Sequence, residues 1–294
     1  MTRPPLFRGL KALAFDLDGT LLRPDKTLSE RTLRAVRNCV DRGLNIIIAT
    51  GRSLTSGEIY RKQLGISGPQ VYYNGAEVVD MPGKTVIHTG FLDPEPVLFC
   101  AALAKKLGLY FQVYFPGGFA GPEETLMAER LTEEAALYAK STGITAIEGD
   151  VEAYLSRPGL SGVIKAMFIT GEKYHKKLQK SLREKYGDSL YVVRSTPQFL
   201  EVLAPGVSKG TGLVRALQYL GLRTEDALAF GDEENDIPML RVAGFSAAPA
   251  NAPRSVRKAA RFHIPSNADD GVAVFLEEHL AAPGEEPEFS GQGA

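Results

Sequence analysis

The sequence has no tryptophan, two cysteines in 294 residues, and no surplus of either charge, with 34 Lys and Arg against 35 Asp and Glu. It also lacks any apolar run near the roughly 18 residues that a membrane span needs. No Asn-x-Ser/Thr acceptor occurs, and the opening "MTRPPLFRGLKALAF" has no apolar stretch long enough for a signal peptide. Each absence removes a class. Cys39 and Cys100 lie in apolar helical patterns and form no disulfide framework, so they read as small core thiols of a reducing compartment. The balanced charge leaves no footprint of a nucleic-acid or anionic-membrane partner. His88, His175, His263 and His279 are scattered without metal-ligand spacing and read as structural or surface residues. The basic stretch 172–187 follows helical spacing and suits a solvated face. The expectation is a cytoplasmic protein with neither a membrane nor a nucleic-acid partner.

What is present is enough apolar content, 44%, to build a sizeable core over a length that suits two domains. "LKALAF" (10–15), "NIIIAT" (45–50) and "QVYYN" (70–74) read as buried strands, separated by a helix over 28–43 and a polar helix ending near Leu64. Ser29 caps the first helix and Gly43 stops it. Continuous apolar strands alternating with helices predict a parallel sheet covered on both faces. The pattern returns at "FLEVLA" (199–204), a helix over 208–220, and "DALAF" (226–230). Short strands at 244–248 and 261–264 and a closing helix at 269–280 complete it. Between these halves lie helical patterns at 94–107, 123–141 and 172–186 and strand-like runs at 109–115, 161–170 and 190–195. A strand-helix-strand crossover needs only about 30 residues, so so long an insertion is a domain of its own. The division expected is a discontinuous core of residues 1–83 and 195–282, an inserted α/β cap of 84–194, and a disordered tail of 283–294.

Polar residues collect where the core strands stop. "AFDLDGTLL" (14–22) puts Asp16 and Asp18 directly after an apolar run, a poor choice unless a cation or a reaction uses them. Thr50 follows the second strand, Asp232 follows "LAF", and Lys209 stands near the start of a helix. Parallel sheets bind ligands outside the carboxyl ends of their strands, so these loops can share one crevice. Phosphoryl transfer from a monoester needs an in-line nucleophile, a proton donor and positive charge around the phosphate oxygens. Asp16 suits the nucleophile, giving an aspartyl-phosphate. Mg²⁺ takes oxygen ligands, and Asp16, Asp232 and the Asp18 carbonyl supply them, leaving the Asp18 side chain for protons. The Thr50 hydroxyl, the Leu17 and Gly51 amides and the Lys209 ammonium are placed to hold phosphate. Asn74 reads equally as a turn residue beside Gly75 or as a group facing the crevice.

"FDLDGTLL", "IIATGR", "GVSKG" and "GDEENDIPML", in this order, resemble the four motifs of the haloacid dehalogenase superfamily of phosphatases. The place of the insertion, with "YYNGA" (72–76) and "DDGVAVFLEEHL" (269–280), is similar to the Cof-type sugar-phosphate phosphatases. The resemblance implies a Rossmann-like core with an inserted cap, and Mg²⁺-dependent hydrolysis of a small phosphorylated metabolite. It implies Asp16 as nucleophile, Asp18 as acid and base, and Asp16, Asp18 and Asp232 as metal ligands. It places Leu17, Thr50, Gly51, Lys209 and Asn235 on the phosphate, with Asp236 supporting the metal ligands. Glu233 and Glu234 depart from the pattern by one extra acid, which would make this loop more negative and alter metal affinity. Two rivals remain beside hydrolysis: a phosphomutase or phosphotransferase on the same core, and a non-catalytic phosphate-binding module. The loop 114–122 is a candidate for reading the substrate.

Overall fold

The computed structural model describes residues 9–115, 125–157 and 162–280. Its strands, in chain order, are β1 (Ala12–Phe15), β2 (Asn45–Ile48), β3 (Gly68–Tyr72), β4 (Glu77–Met81), β5 (Thr85–Thr89), β6 (Tyr110–Phe115), β7 (Thr125–Ala128), β8 (Ile147–Glu148), β9 (Lys165–Ile169), β10 (Tyr191–Thr196), β11 (Phe199–Leu203), β12 (Ala227–Phe230), β13 (Phe245–Pro249) and β14 (Phe262–Ile264). They form a five-stranded parallel sheet in the order β14-β13-β12-β1-β2, a three-stranded antiparallel sheet β3-β4-β5, and a six-stranded sheet β10-β11-β9-β6-β7-β8.

The parallel sheet is buried on both faces because its strands are apolar throughout. Leu13 and Phe15 of β1 pack with the helices Glu30–Asp41 and Gly271–Leu280, while Ala12 and Ala14 face the helix Lys209–Tyr219. The chain leaves β1 toward β2 on one side and returns to β12 on the other, so the order reverses between β1 and β12. A crevice opens at such a reversal. Phe15 and Phe230 end these two strands, pair in register, and stack with centroids 5.0 Å apart. That contact is worth about 0.5–1.5 kcal/mol beyond its burial. It fixes the two strand ends from which Asp16 and Asp232 emerge.

The expected third strand departs from the parallel sheet. β3 joins β4 antiparallel, and its backbone meets the parallel sheet at an Ala49–Val71 bridge. Where a ladder would continue, the Gln70 side chain takes the Ile48 N–H at 2.7 Å and donates to the Ile46 carbonyl at 3.2 Å. A side chain has replaced the strand's backbone. The β4–β5 hairpin was also absent from the sequence reading, and the expected boundary at 83/84 falls in its turn.

The inserted segment differs in two further places. Residues 125–128, expected to open a helix, pair antiparallel with β6, and the helix begins only at Glu133. "FLEVLA", expected in the parallel core, supplies β11, which pairs with β9 and β10, so residue 195 lies inside β10 rather than between domains. Both segments are short apolar runs whose periodicity fits a parallel core strand and an antiparallel one alike. One face of the six-stranded sheet packs on the helices Pro94–Leu107 and Glu172–Tyr186. The opposite face, through Tyr114, Met167 and Leu203, packs on Tyr72 and Tyr73 of the core. The tail 283–294 and most of the loop 114–122 lie outside the described residues. Cys39 and Cys100 are buried, free thiols in separate clusters, and no described helix is long and apolar enough to cross a membrane.

Gly75 joins the antiparallel sheet to the helix Lys209–Tyr219. Its φ is +94°, and a Cβ there would lie 2.1 Å from the Ser208 carbonyl oxygen, at the start of the helix carrying Lys209. Gly75→Ala is expected to destabilise the fold by at least roughly 1–3 kcal/mol through backbone strain alone. A urea midpoint equal to that of the parent would refute this.

Candidate active site

The loop after β1 turns at Gly19, where φ is +82° and a Cβ would stand 2.2 Å from Asp232 Oδ2. Only glycine lets the two loops approach this closely. Thr20 then donates from Oγ1 to Asp232 Oδ1 at 2.8 Å. Ser208 caps the helix Lys209–Tyr219 and sets Lys209 at its first turn. There the ammonium is 1% exposed and donates to Asp16 Oδ1 and Asp236 Oδ1, each at 2.6 Å. The other Asp236 oxygen accepts the N–H groups of Asp232 and Glu233, both at 2.9 Å. Asp236 is therefore spent on holding its own loop and Lys209.

Asp16, Asp232 and Asp236 offer carboxylate oxygens within 4.8 Å of one another, all buried. Burial, then the charge of Asp236, raises the Asp16 carboxyl, and Lys209 only partly opposes them. Burial, then Asp16 and Asp236, raises Asp232 in the same way. Burial alone would depress the Lys209 ammonium, but the two carboxylates outweigh it and hold the lysine charged well above its ordinary range. Three carboxylates share one ammonium, and like charges this close favour a second cation. The donor set fits a hard divalent ion, which takes carboxylate and water oxygens. Asn235 adds to that fit: its buried Oδ1 has no donor among the described residues, as a carbonyl oxygen facing metal-bound water would require. Asp16 and Asp232 are the ligands this geometry leaves available.

Asp18 has a different environment. Arg52 clamps it with Nε to Oδ2 at 2.6 Å and Nη2 to Oδ1 at 2.8 Å, and Lys26 Nζ reaches Oδ1 at 2.8 Å. Burial works to raise its pKa, but Arg52 and then Lys26 prevail and lower it to about 2. Arg52 itself lies over the Tyr60 ring at 4.9 Å.

A cavity of about 790 Å³ opens beside these groups, within the roughly 300–1,000 Å³ usual for small-molecule sites. Asp16, Asp18, Thr50, Gly51 and Asn235 line it from the core, and Tyr138, Lys165, Gln198 and Phe199 line it from the inserted unit. Asp232, Lys209 and Asp236 sit behind Asp16. The Leu17 side chain is buried in the core, so only its backbone can face the crevice. No histidine lines the cavity. Of its two readings, Asn74 fits the turn: it adopts φ +57°, and rather than lining the cavity it is buried behind it, its amide bonding Glu201 and Asn235. Glu233 and Glu234 face Arg194 of β10, at 3.9 and 2.9 Å, so the extra acid is met by a cation from the inserted sheet.

The sequence reading passed over Arg52, Lys26, Lys165 and Glu201. Arg52 stood inside a quoted motif. Lys165 and Glu201 were single charges within otherwise apolar strands, a signal that such side chains have buried partners.

A family model of haloacid dehalogenase-like hydrolases matches residues 13–276. The 5-amino-6-(5-phospho-D-ribitylamino)uracil phosphatase YitU of Bacillus subtilis (strain 168) is 30% identical over 278 residues, covering 92% of this chain and 97% of that protein. The pyridoxal phosphate phosphatase YbhA of Escherichia coli (strain K12) is 28% identical over 288 residues, covering 92% and 98%. The solved structure of the HAD subclass IIB sugar phosphatase BT4131 is similar with a TM-score of 0.77 at 25% identity, covering 92% of this chain and 98% of its own. A match running from the first strand of the parallel sheet into its last helix leaves one conclusion: the chain belongs to the haloacid dehalogenase-like hydrolases.

Proposed function

We propose that the protein is a Mg²⁺-dependent phosphatase of small phosphate monoesters that works through an aspartyl-phosphate on Asp16. The observation that carries this reading is a pair of carboxylates, two residues apart, lining one cavity with different partners: Lys209 for Asp16, Arg52 and Lys26 for Asp18. Asp16 is fixed by Lys209 beside Asp232, and Asp18 is held apart from that cluster by Arg52.

In the first step an Asp16 oxygen forms a bond to phosphorus while the ester P–O bond breaks, and the leaving oxygen takes a proton from Asp18. In the second, water attacks the phosphorus of the aspartyl-phosphate, Asp18 takes the water's proton, and Asp16 leaves as a carboxylate with phosphate released. Arg52 and Lys26 hold Asp18 in its base form, which suits the second step. For the first step their contacts have to give way to the ester oxygen, since two cations on one carboxylate keep it unprotonated. Both line the cavity, within reach of an ester that enters it. Thr50, the Leu17 and Gly51 amides and Asn235 take the phosphoryl oxygens, and Lys209, bonded to Asp16 from behind, adds its positive charge to the site. Bound by Asp16, Asp232 and the Asp18 carbonyl, Mg²⁺ supplies the positive charge that lets an anionic carboxylate approach an anionic ester. The leaving group is a small metabolite, in keeping with the cavity's size and with phosphatases of ribitylaminouracil phosphate, pyridoxal phosphate and sugar phosphates among the similar proteins.

Asp16→Asn is expected to be inactive on every ester, because an amide cannot attack as a carboxylate does. Asp18→Asn is expected to fail on an alkyl sugar phosphate by about 10²–10⁴-fold, the usual worth of general acid-base catalysis. On p-nitrophenyl phosphate, whose leaving group needs no proton, it should release a burst of nitrophenolate approaching one equivalent and then stall. Steady aryl-ester turnover by Asp18→Asn would remove Asp18 from the second step, and label on a residue other than Asp16 would overturn the mechanism. An isomeric sugar phosphate as product, in place of inorganic phosphate, would favour a mutase.

Chelation is expected to abolish turnover and added Mg²⁺ to restore it. Asp232→Ala should weaken Mg²⁺ binding measured by calorimetry, with part of the activity returning at high Mg²⁺. Superimposable titrations of parent and variant would take Asp232 off the metal.

A further inference from the structure

A second buried ion pair lies on the cavity wall opposite the carboxylates. Lys165 of β9 and Glu201 of β11 are 1% and 2% exposed, with Nζ and Oε2 3.2 Å apart. Both point from the six-stranded sheet toward the core, on the face that also carries Tyr114 and Met167. Lys165 Nζ donates to the Gly51 carbonyl at 2.9 Å, and the ring of Tyr114 lies 4.9 Å from it. Glu201 Oε2 accepts from Asn74 Nδ2 at 2.7 Å, and Asn74 Oδ1 accepts from Asn235 Nδ2 at 2.9 Å. Ser195 donates to the other Glu201 oxygen. Asn74 is fully buried, and its own N–H is tied to the Thr50 carbonyl at 2.9 Å.

A continuous polar chain therefore runs from the inserted sheet to two core loops: Lys165 to Gly51 after β2, and Glu201 through Asn74 to Asn235 after β12. These are loops that the phosphatase reading assigns to the phosphate. Burying both charges is costly, and an apolar pair of similar volume would pack the sheet as well. Both Glu201 oxygens are engaged within the protein, and two contacts already hold the lysine, so the pair is organised for orienting neighbours rather than for reading a leaving group.

We propose that Lys165 and Glu201 are positioning residues for phosphoryl transfer. They fix the Gly51 backbone and the orientation of the Asn235 amide, so the inserted unit completes a phosphate site whose reacting groups all belong to the core. The inference rests on the phosphatase reading above.

The test is the double variant Lys165→Met/Glu201→Gln, which removes both charges without stranding one. It is compared with the parent, Asn235→Ala and the triple variant. Substrates are p-nitrophenyl phosphate and a hexose phosphate, with binding of inorganic phosphate in Mg²⁺ measured by calorimetry. A fall in kcat/KM of about tenfold or more, by the same factor on both esters, is expected. Phosphate binding should weaken in step, and adding Asn235→Ala should cost little more. Unchanged kcat/KM would overturn the proposal, as would a loss confined to the hexose ester or losses that simply multiply with Asn235→Ala. If the double variant does not fold, Asn74→Gly cuts the chain while tolerating the positive φ, and the same outcomes apply. A parent that hydrolyses neither ester defeats the phosphatase reading instead, and phosphate binding then still decides the positioning role.

Discussion

Lys209 carries one positive charge into a volume that holds three carboxylates, and the geometry around it follows from that imbalance. In a medium of low polarity an unpaired carboxylate either finds a counter-charge or takes up a proton. The ammonium serves Asp16 and Asp236 at once, each at 2.6 Å, while the Asp232 carboxylate accepts the Thr20 hydroxyl and, among the described residues, no ammonium or guanidinium. The burial that makes these groups costly also makes them responsive. In the proposed reading their charge state depends on what enters the crevice, since a cation and a phosphate would each supply or require charge that the cluster leaves unmatched.

Holding such a cluster requires stiff supports, and the parallel sheet provides them. Phe15 and Phe230 lock the two central strands one residue before Asp16 and two before Asp232. Gly19 admits the close approach of the loops, while Asp236 closes the β12 loop upon itself. The inserted sheet contributes from the far side of the cavity, through Lys165 and Glu201 inside and Arg194 at the rim. The rim pair is partly exposed, so it orients more than it stabilises. The buried pair is shielded from water, and its geometry is correspondingly harder to change.

The catalytic core was legible in the sequence to the extent that its chemistry sits next to its secondary structure. Asp16, Asp18, Thr50 and Asp232 each follow an apolar strand directly, so the pattern that gives the strand also gives the place of the side chain. Lys209 was legible only in company, because a lysine after a helix cap is ordinarily solvated, and its burial here depends on carboxylates distant in the chain. What escaped the sequence was pairing. β11 reads like a core strand because its sheet, too, is covered on both faces, so it is the same short, continuously buried apolar run. β7 lost to helical spacing for a similar reason, since nothing in its own short run announces the antiparallel partner β6. Lys165 and Glu201 reveal their role only when register sets β9 beside β11 and the whole face against Tyr73 and Asn74.

Gln70 has an effect that reaches past the active site. β2 is the last strand on its side of the parallel sheet, and an open strand border is a template on which other chains can add themselves. The Gln70 amide occupies the Ile48 N–H and the Ile46 carbonyl with a single rigid group, so that border offers no run of free backbone to a second molecule. The opposite border ends on β14, only three residues long. Resistance to lateral aggregation is thus built into the sheet by one side-chain amide and one short strand, leaving the loops above free to vary with the ligand they meet.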